Sequence, residues 1–152
     1  MYTLLDRVEK WLIIMLTLIM IFLVSLQVLN RFIFHLSISW TEEAARYIFV
    51  WVVFISASYA VHQNAHIGVQ IIVNRLNKKW KKLFIFIMYI SCLSFSLFVI
   101  VGGIRIVLMQ KAMAQLSPAM GIPMYFPYLA LPCGGALMFF RFVQQCKKQL
   151  FY

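Results

Sequence analysis

Trp11-Leu12-Ile13-Ile14-Met15-Leu16-Thr17-Leu18-Ile19-Met20-Ile21-Phe22-Leu23-Val24-Ser25-Leu26-Gln27-Val28-Leu29 is a run of nineteen residues without a formal charge, closed by Asn30-Arg31. As an α-helix rising ~1.5 Å per residue it covers about 28 Å, close to the hydrocarbon thickness of a bilayer. The residues ahead of it, Met1 to Lys10, carry both signs of charge, and no small-x-small cleavage site closes the run. At roughly twice the length of a signal-peptide core, it is expected to be a retained membrane helix.

The rest of the chain agrees with that start. Of 152 residues, 64% are hydrophobic and 12% charged, with a mean hydropathy of +0.89. A soluble domain carries about 25% charged residues, so this chain has too little polar surface to cover a core in water. Lipid must be the solvent for most of it. The net charge of +10 gathers at the ends of apolar runs. That distribution fits membrane topology better than it fits a nucleic-acid binder, whose basic groups would line a phosphate track. Cys92, Cys133 and Cys146 are widely separated, without a Cys-x-x-Cys pair, so neither a disulfide framework nor a zinc site is expected.

Three further apolar runs follow, giving expected spans at about 11–30, 44–61, 83–105 and 125–143. The chain 1–152 therefore reads as a single all-α transmembrane domain of four helices. Segment 64–82 is different in kind: Ile67, Ile71, Ile72, Leu76 and Trp80 recur near helical spacing among polar residues. It is expected to be an amphipathic helix lying in the interface, with Lys78, Lys79, Lys81 and Lys82 against anionic lipid headgroups. Ser117-Pro118-Ala119-Met120-Gly121-Ile122-Pro123 connects the last two spans. Pro132 with Gly134-Gly135 predicts a kink or a close helix contact in the fourth.

Lys and Arg counts set the orientation. The N-terminus, the second loop and the C-terminus hold ten, against four in the first and third connections. By the positive-inside rule both termini face the cytoplasm, and the stretches around Glu42 and Ser117 face outwards.

No Asp, Glu, Lys or Arg falls in the middle of an expected span. Ion and proton relays place such groups there despite their insertion cost, so the chain is not expected to be a proton-coupled pump. His62 and His66 have i, i+4 spacing, but no acid or thiol lies nearby in sequence to complete a metal site. All three histidines lie outside the apolar cores, against haem ligation. No nucleophile–base spacing is present either, and neither cofactor nor catalytic residue is expected.

The remaining constellation is Trp40-Thr41-Glu42-Glu43-Ala44-Ala45-Arg46-Tyr47, running on to Trp51. On a helix, Arg46 reaches either carboxylate, at i−4 or i−3. Aromatic rings around a short charged turn suit the membrane–water boundary, as do Trp11 and Trp80 elsewhere. One reading is local: carboxylates at a helix start with an internal ion pair. The other has a carboxylate holding a neighbouring helix, through Arg31 or Arg105, or a cation on another subunit.

These residues resemble a known family. Trp40-Thr41-Glu42-Glu43 with Arg46-Tyr47 and Trp51, then His66-Ile67-Gly68-Val69, then Ser117 through Gly121-Ile122-Pro123 with Tyr128 and Pro132, are similar to the small (Q) membrane subunit of TRAP (tripartite ATP-independent periplasmic) transporters. Gln70 and Met120 depart from its pattern, standing where an acid and a leucine are usual. The resemblance implies a non-catalytic subunit of a bacterial inner-membrane symporter. Its large, many-span partner would carry the substrate and sodium sites and move as an elevator. A periplasmic binding protein would deliver organic acids such as C4-dicarboxylates, sialic acid or sugar acids. The small subunit would widen the fixed scaffold and help dock that protein, with Trp40, Glu42, Glu43, Arg46, Ser117 and Pro123 as interface or helix-locking residues. The competing expectation is a self-contained homo-oligomeric channel or exporter.

Overall fold

The computed structural model describes residues 4–33, 35, 38–63 and 78–151. Among the described residues there are five helices: α1 (Leu4–Phe32), α2 (Ser39–His62), α3 (Lys78–Ala112), the single turn α4 (Tyr125–Tyr128) and α5 (Ala130–Phe151). Among the described residues there is no strand, only an isolated antiparallel bridge between Leu116 and Pro123. The protein is thus all-α, as its apolar runs require: in lipid each backbone N–H and C=O must be satisfied within its own segment, which a helix does. The expected amphipathic segment lies outside the described residues from 64 to 77, as do the side chains of Lys78, Lys79, Lys81 and Lys82.

Helix α1 begins well before the uncharged run, because Asp6 and Glu9 are buried and paired within the protein. Asp6 in its first turn and Arg31 in its last also suit the helix dipole. The fourth span is interrupted at Leu129, between α4 and α5. Pro132 has no N–H to offer the carbonyl of Tyr128 one turn earlier, whereas Cys133 N–H still reaches Leu129 O at 3.1 Å. The proline therefore notches the span without unravelling it.

The helices pack as a row. Helix α1 lies on α2, α2 on α5, and α5 on α3, while the backbones of α1 and α3, α1 and α5, and α2 and α3 stay apart among the described residues. Three glycines allow the approaches within the row. A Cβ on Gly134 would strike Phe54 of α2, and one on Gly135 would lie 2.9 Å from Ile100 Cγ1 of α3. On the other side of that contact, a Cβ on Gly103 would lie 2.8 Å from Pro132. A small apolar core of Val61, Tyr89, Met138 and Phe142 sits where α2, α3 and α5 converge. Outside it the exterior is apolar: Phe98 is 75% exposed and Trp11 64%.

Candidate functional site

Polar side chains gather at opposite ends of the helices, one cluster at each. At one end, α2 opens with Ile38 as N-cap and no capping side chain. Thr41, fully buried, donates its hydroxyl to Ile38 O at 2.8 Å. One turn of helix then sends its two carboxylates in different directions. Glu42 stays on the surface, accepting Arg46 Nη2 at 2.8 Å and Gln27 Nε2 of α1 at 3.3 Å. Glu43 turns inward and is nearly buried.

Glu43 meets the connection between α3 and α4. That connection is a small hairpin held by its own backbone: Ser117 N–H to Ile122 O at 2.8 Å, Gly121 N–H to Ser117 O at 3.1 Å and Met124 N–H to Gln115 O at 2.9 Å. Gly121 takes φ +67°, a left-handed conformation that glycine adopts without Cβ strain. The turn aims two successive amides at α2, and Glu43 Oε2 accepts Ala119 N–H at 2.9 Å and Met120 N–H at 3.0 Å. The Tyr47 hydroxyl donates to the other carboxylate oxygen and lies 3.2 Å from the Met124 sulfur. Hydrogen bonds to an ionised acceptor are roughly twice as strong as neutral ones, so one side chain fastens the hairpin to α2.

Of the residues named from sequence, the structure brings Glu43, Ser117 and Pro123 together in this clamp. Ser117 is buried under the hairpin, and Pro123 pairs with Leu116 across its base. Trp40, Glu42 and Arg46 instead line an open cleft of about 680 Å³ between the start of α2 and Pro118-Ala119. Within the chain Glu43 binds backbone amides rather than Arg31 or Arg105. Trp11 and Trp80 stand exposed on the outer surfaces of α1 and α3.

The opposite end holds a constellation that sequence reading missed. Arg141 of α5, 1% exposed, brings Nη2 to 2.6 Å from Asp6 Oδ1 and 2.5 Å from Glu9 Oε2, both on α1. Ser58 of α2 donates to Glu9 Oε1 at 3.1 Å, and Gln145 Nε2 reaches Val61 O at 3.4 Å. Three helices are thereby joined through one guanidinium and two carboxylates. Two signals stood in the sequence: acids at i, i+3 at the head of the first span, and an arginine set among Phe139, Phe140 and Phe142. Among the described residues no three His, Cys, Asp or Glu side chains converge as a metal site.

A row of apolar helices whose opposite ends are each fastened by polar side chains, with an apolar exterior, defines an integral membrane protein built for packing. The chain belongs to the DctQ component family of tripartite ATP-independent periplasmic transporters, whose model matches residues 7–151. It is 32% identical over 136 residues to the isethionate TRAP transporter permease protein DctMQ of Oleidesulfovibrio alaskensis, a match covering 86% of this chain and 21% of that protein. With the C4-dicarboxylate TRAP transporter small permease protein DctQ of Vibrio cholerae it shares 29% identity over 161 residues, covering 91% and 69% of the two chains. With the sialic acid TRAP transporter permease protein SiaT of Haemophilus influenzae it shares 29% identity over 142 residues, covering 91% and 22%. The chain thus spans about a fifth of two of these relatives and most of the third. It is a multi-pass protein of the bacterial inner membrane, and its relatives are permease components rather than enzymes.

Proposed function

We propose that this chain is the non-catalytic small subunit of a sodium-driven, binding-protein-dependent importer of organic acids, acting as a fixed scaffold for a large, many-span membrane subunit. The observation that carries the proposal is the use of its polar side chains. Glu43 is engaged by the hairpin, and Asp6 and Glu9 by Arg141. What faces outwards is chiefly apolar helix surface, such as Phe98 on α3 and Phe22 on α1. Such a body suits bracing a neighbour rather than carrying a solute. The substrates in the relatives' names, isethionate, C4-dicarboxylate and sialic acid, are all organic acids and support that substrate class.

By the count of basic residues the Glu43 end faces the periplasm and both termini the cytoplasm. The exposed tip of the hairpin, held by Glu43 and Ser117, then offers the periplasmic binding protein a rigid ledge. Trp11, Trp80 and the lysines at 78, 79, 81 and 82 hold the depth of the helices against anionic headgroups while the partner moves.

Affinity purification of the chain from its native membrane in mild detergent, followed by mass spectrometry, tests the first part. A stoichiometric large permease subunit is expected, and recovery of a homo-oligomer of this chain alone would overturn the reading. Proteoliposomes of the pair with its binding protein should accumulate an organic acid when a sodium gradient is imposed and not when ATP is supplied. Glu43→Arg should insert normally yet lower complex yield or uptake; normal values for both would remove the clamp from the mechanism.

A further inference from the structure

We propose that the large permease subunit seats one of its membrane helices along a single stripe of α2, marked by Glu42, Arg46, Phe49, Val53 and Ala60, and that a polar group of that helix is read by the Glu42–Arg46 pair. The inference rests on the scaffold reading above and names the face through which it works.

At ~100° per residue these five positions fall within an arc of about 60°. All five are exposed, with Arg46 and Glu42 side chains at 68% and 58% and Phe49 at 52%. Helix α2 is the inner helix of the row that packs on both α1 and α5, so the stripe runs down a face of the row rather than along its edge. A lone stripe of this kind would ordinarily meet lipid. Its charges argue otherwise.

Arg46 lies seven residues beyond Ser39, about 10 Å along α2 from its first residue at ~1.5 Å per residue. The apolar surface continues directly below it in Phe49 and Val53. Ionised side chains are disfavoured against acyl chains and characteristically face protein or water there. Gln27 of α1 extends the polar group sideways by donating to Glu42. The composite is an exposed donor–acceptor patch at the top of an apolar track. A protein helix with a polar residue near its periplasmic end complements both parts, and a lipid tail complements only one. The exposed stretch of α3 around Phe95 and Phe98 offers no charge and suits lipid. In the isethionate relative, the region matching this chain is 21% of a longer permease polypeptide, which places further permease sequence in the same molecule.

The test uses the chain expressed together with its large subunit. A photoreactive benzoylphenylalanine is placed at position 49 in one variant and at 98 in another, and native membranes are irradiated. An adduct with the large subunit is expected from 49 and none from 98. A phospholipid adduct or no adduct from 49, in a complex that still co-purifies, overturns the stripe while leaving the scaffold reading intact. Absence of any co-purifying large subunit removes both. The double variant Glu42→Arg/Arg46→Glu keeps an ion pair within α2 but reverses its order. Complex yield should fall by roughly an order of magnitude, as when a buried interfacial anchor is lost, and an unchanged yield with unchanged melting would show the pair to be purely local.

Discussion

Arg141 Nη2 lies 2.5 Å from Glu9 Oε2, joining residues 132 positions apart on two helices whose backbones do not pack. Both partners are buried, in a chain with four acidic residues in all. The pair, with Asp6, acts as a rivet through side chains alone.

Removing the cation should therefore be severe. Arg141→Met leaves two carboxylates without their guanidinium and is expected to cost about 3–5 kcal/mol, the range for breaking a buried pair from one side. Thermal unfolding in detergent measures it. The triple variant Asp6→Asn/Glu9→Gln/Arg141→Met, which removes all the charge together, should recover part of that loss. A triple variant weaker than the single one would contradict the rivet.

For the clamp, the sensitive readout is local. Glu43→Ala withdraws the acceptor of the Ala119 and Met120 amides. Hydrogen exchange over residues 117–122 should quicken, with protection of the α1–α2 contact unchanged. Glu43→Gln keeps a carbonyl acceptor without charge and should fall between the two. Equal protection in all three proteins would mean the hairpin holds itself.

Close helix approach predicts a contrast between glycines. Gly134→Ala puts a methyl group into Phe54 and should destabilise by about 1–3 kcal/mol, as overpacking does elsewhere. Gly102→Ala meets nothing within 4 Å and should be near neutral in the same melting assay. Similar losses at both sites would count against the packing of α5 between α2 and α3.

Gly121 isolates a backbone effect. Nothing lies within 4 Å of a Cβ there, yet φ is +67°. Gly121→Ala should cost about 1–2 kcal/mol from the left-handed conformation alone. Gly121→Asn should cost less, because asparagine visits that region more readily. Chemical denaturation of the two variants in one detergent decides it.

The helical membrane class is legible in the sequence because lipid leaves little choice: long uncharged runs must close their own backbone hydrogen bonds. The clamp is only half legible. Trp40 to Arg46 and the Ser117–Pro123 connection stand out by composition, but Glu43 binds amide N–H groups, and those belong to no residue type. No side-chain pattern could name them. The Arg141 rivet is hidden for another reason. Asp6 and Glu9 sit among Arg7 and Lys10, where charge reads as a solvated terminus, and only the fold brings α5 beside them.

The row of helices also has a consequence for biogenesis. Helices α1 and α2 are neighbours in both sequence and space, so they can pair as soon as the second leaves the translocon. Helix α3 emerges next, but its neighbours within the row are α4 and α5, which are synthesised afterwards. Until the last segment arrives, the backbone of α3 has no packed neighbour among the described helices. Arrival of α5 then completes both halves in one step, inserting Gly134 against Phe54 and Gly135 against Ile100 and delivering Arg141 to Asp6 and Glu9. A chain truncated before residue 125 and released into the membrane should hold a paired hairpin and a third helix unpaired with either, a form open to membrane quality-control proteases.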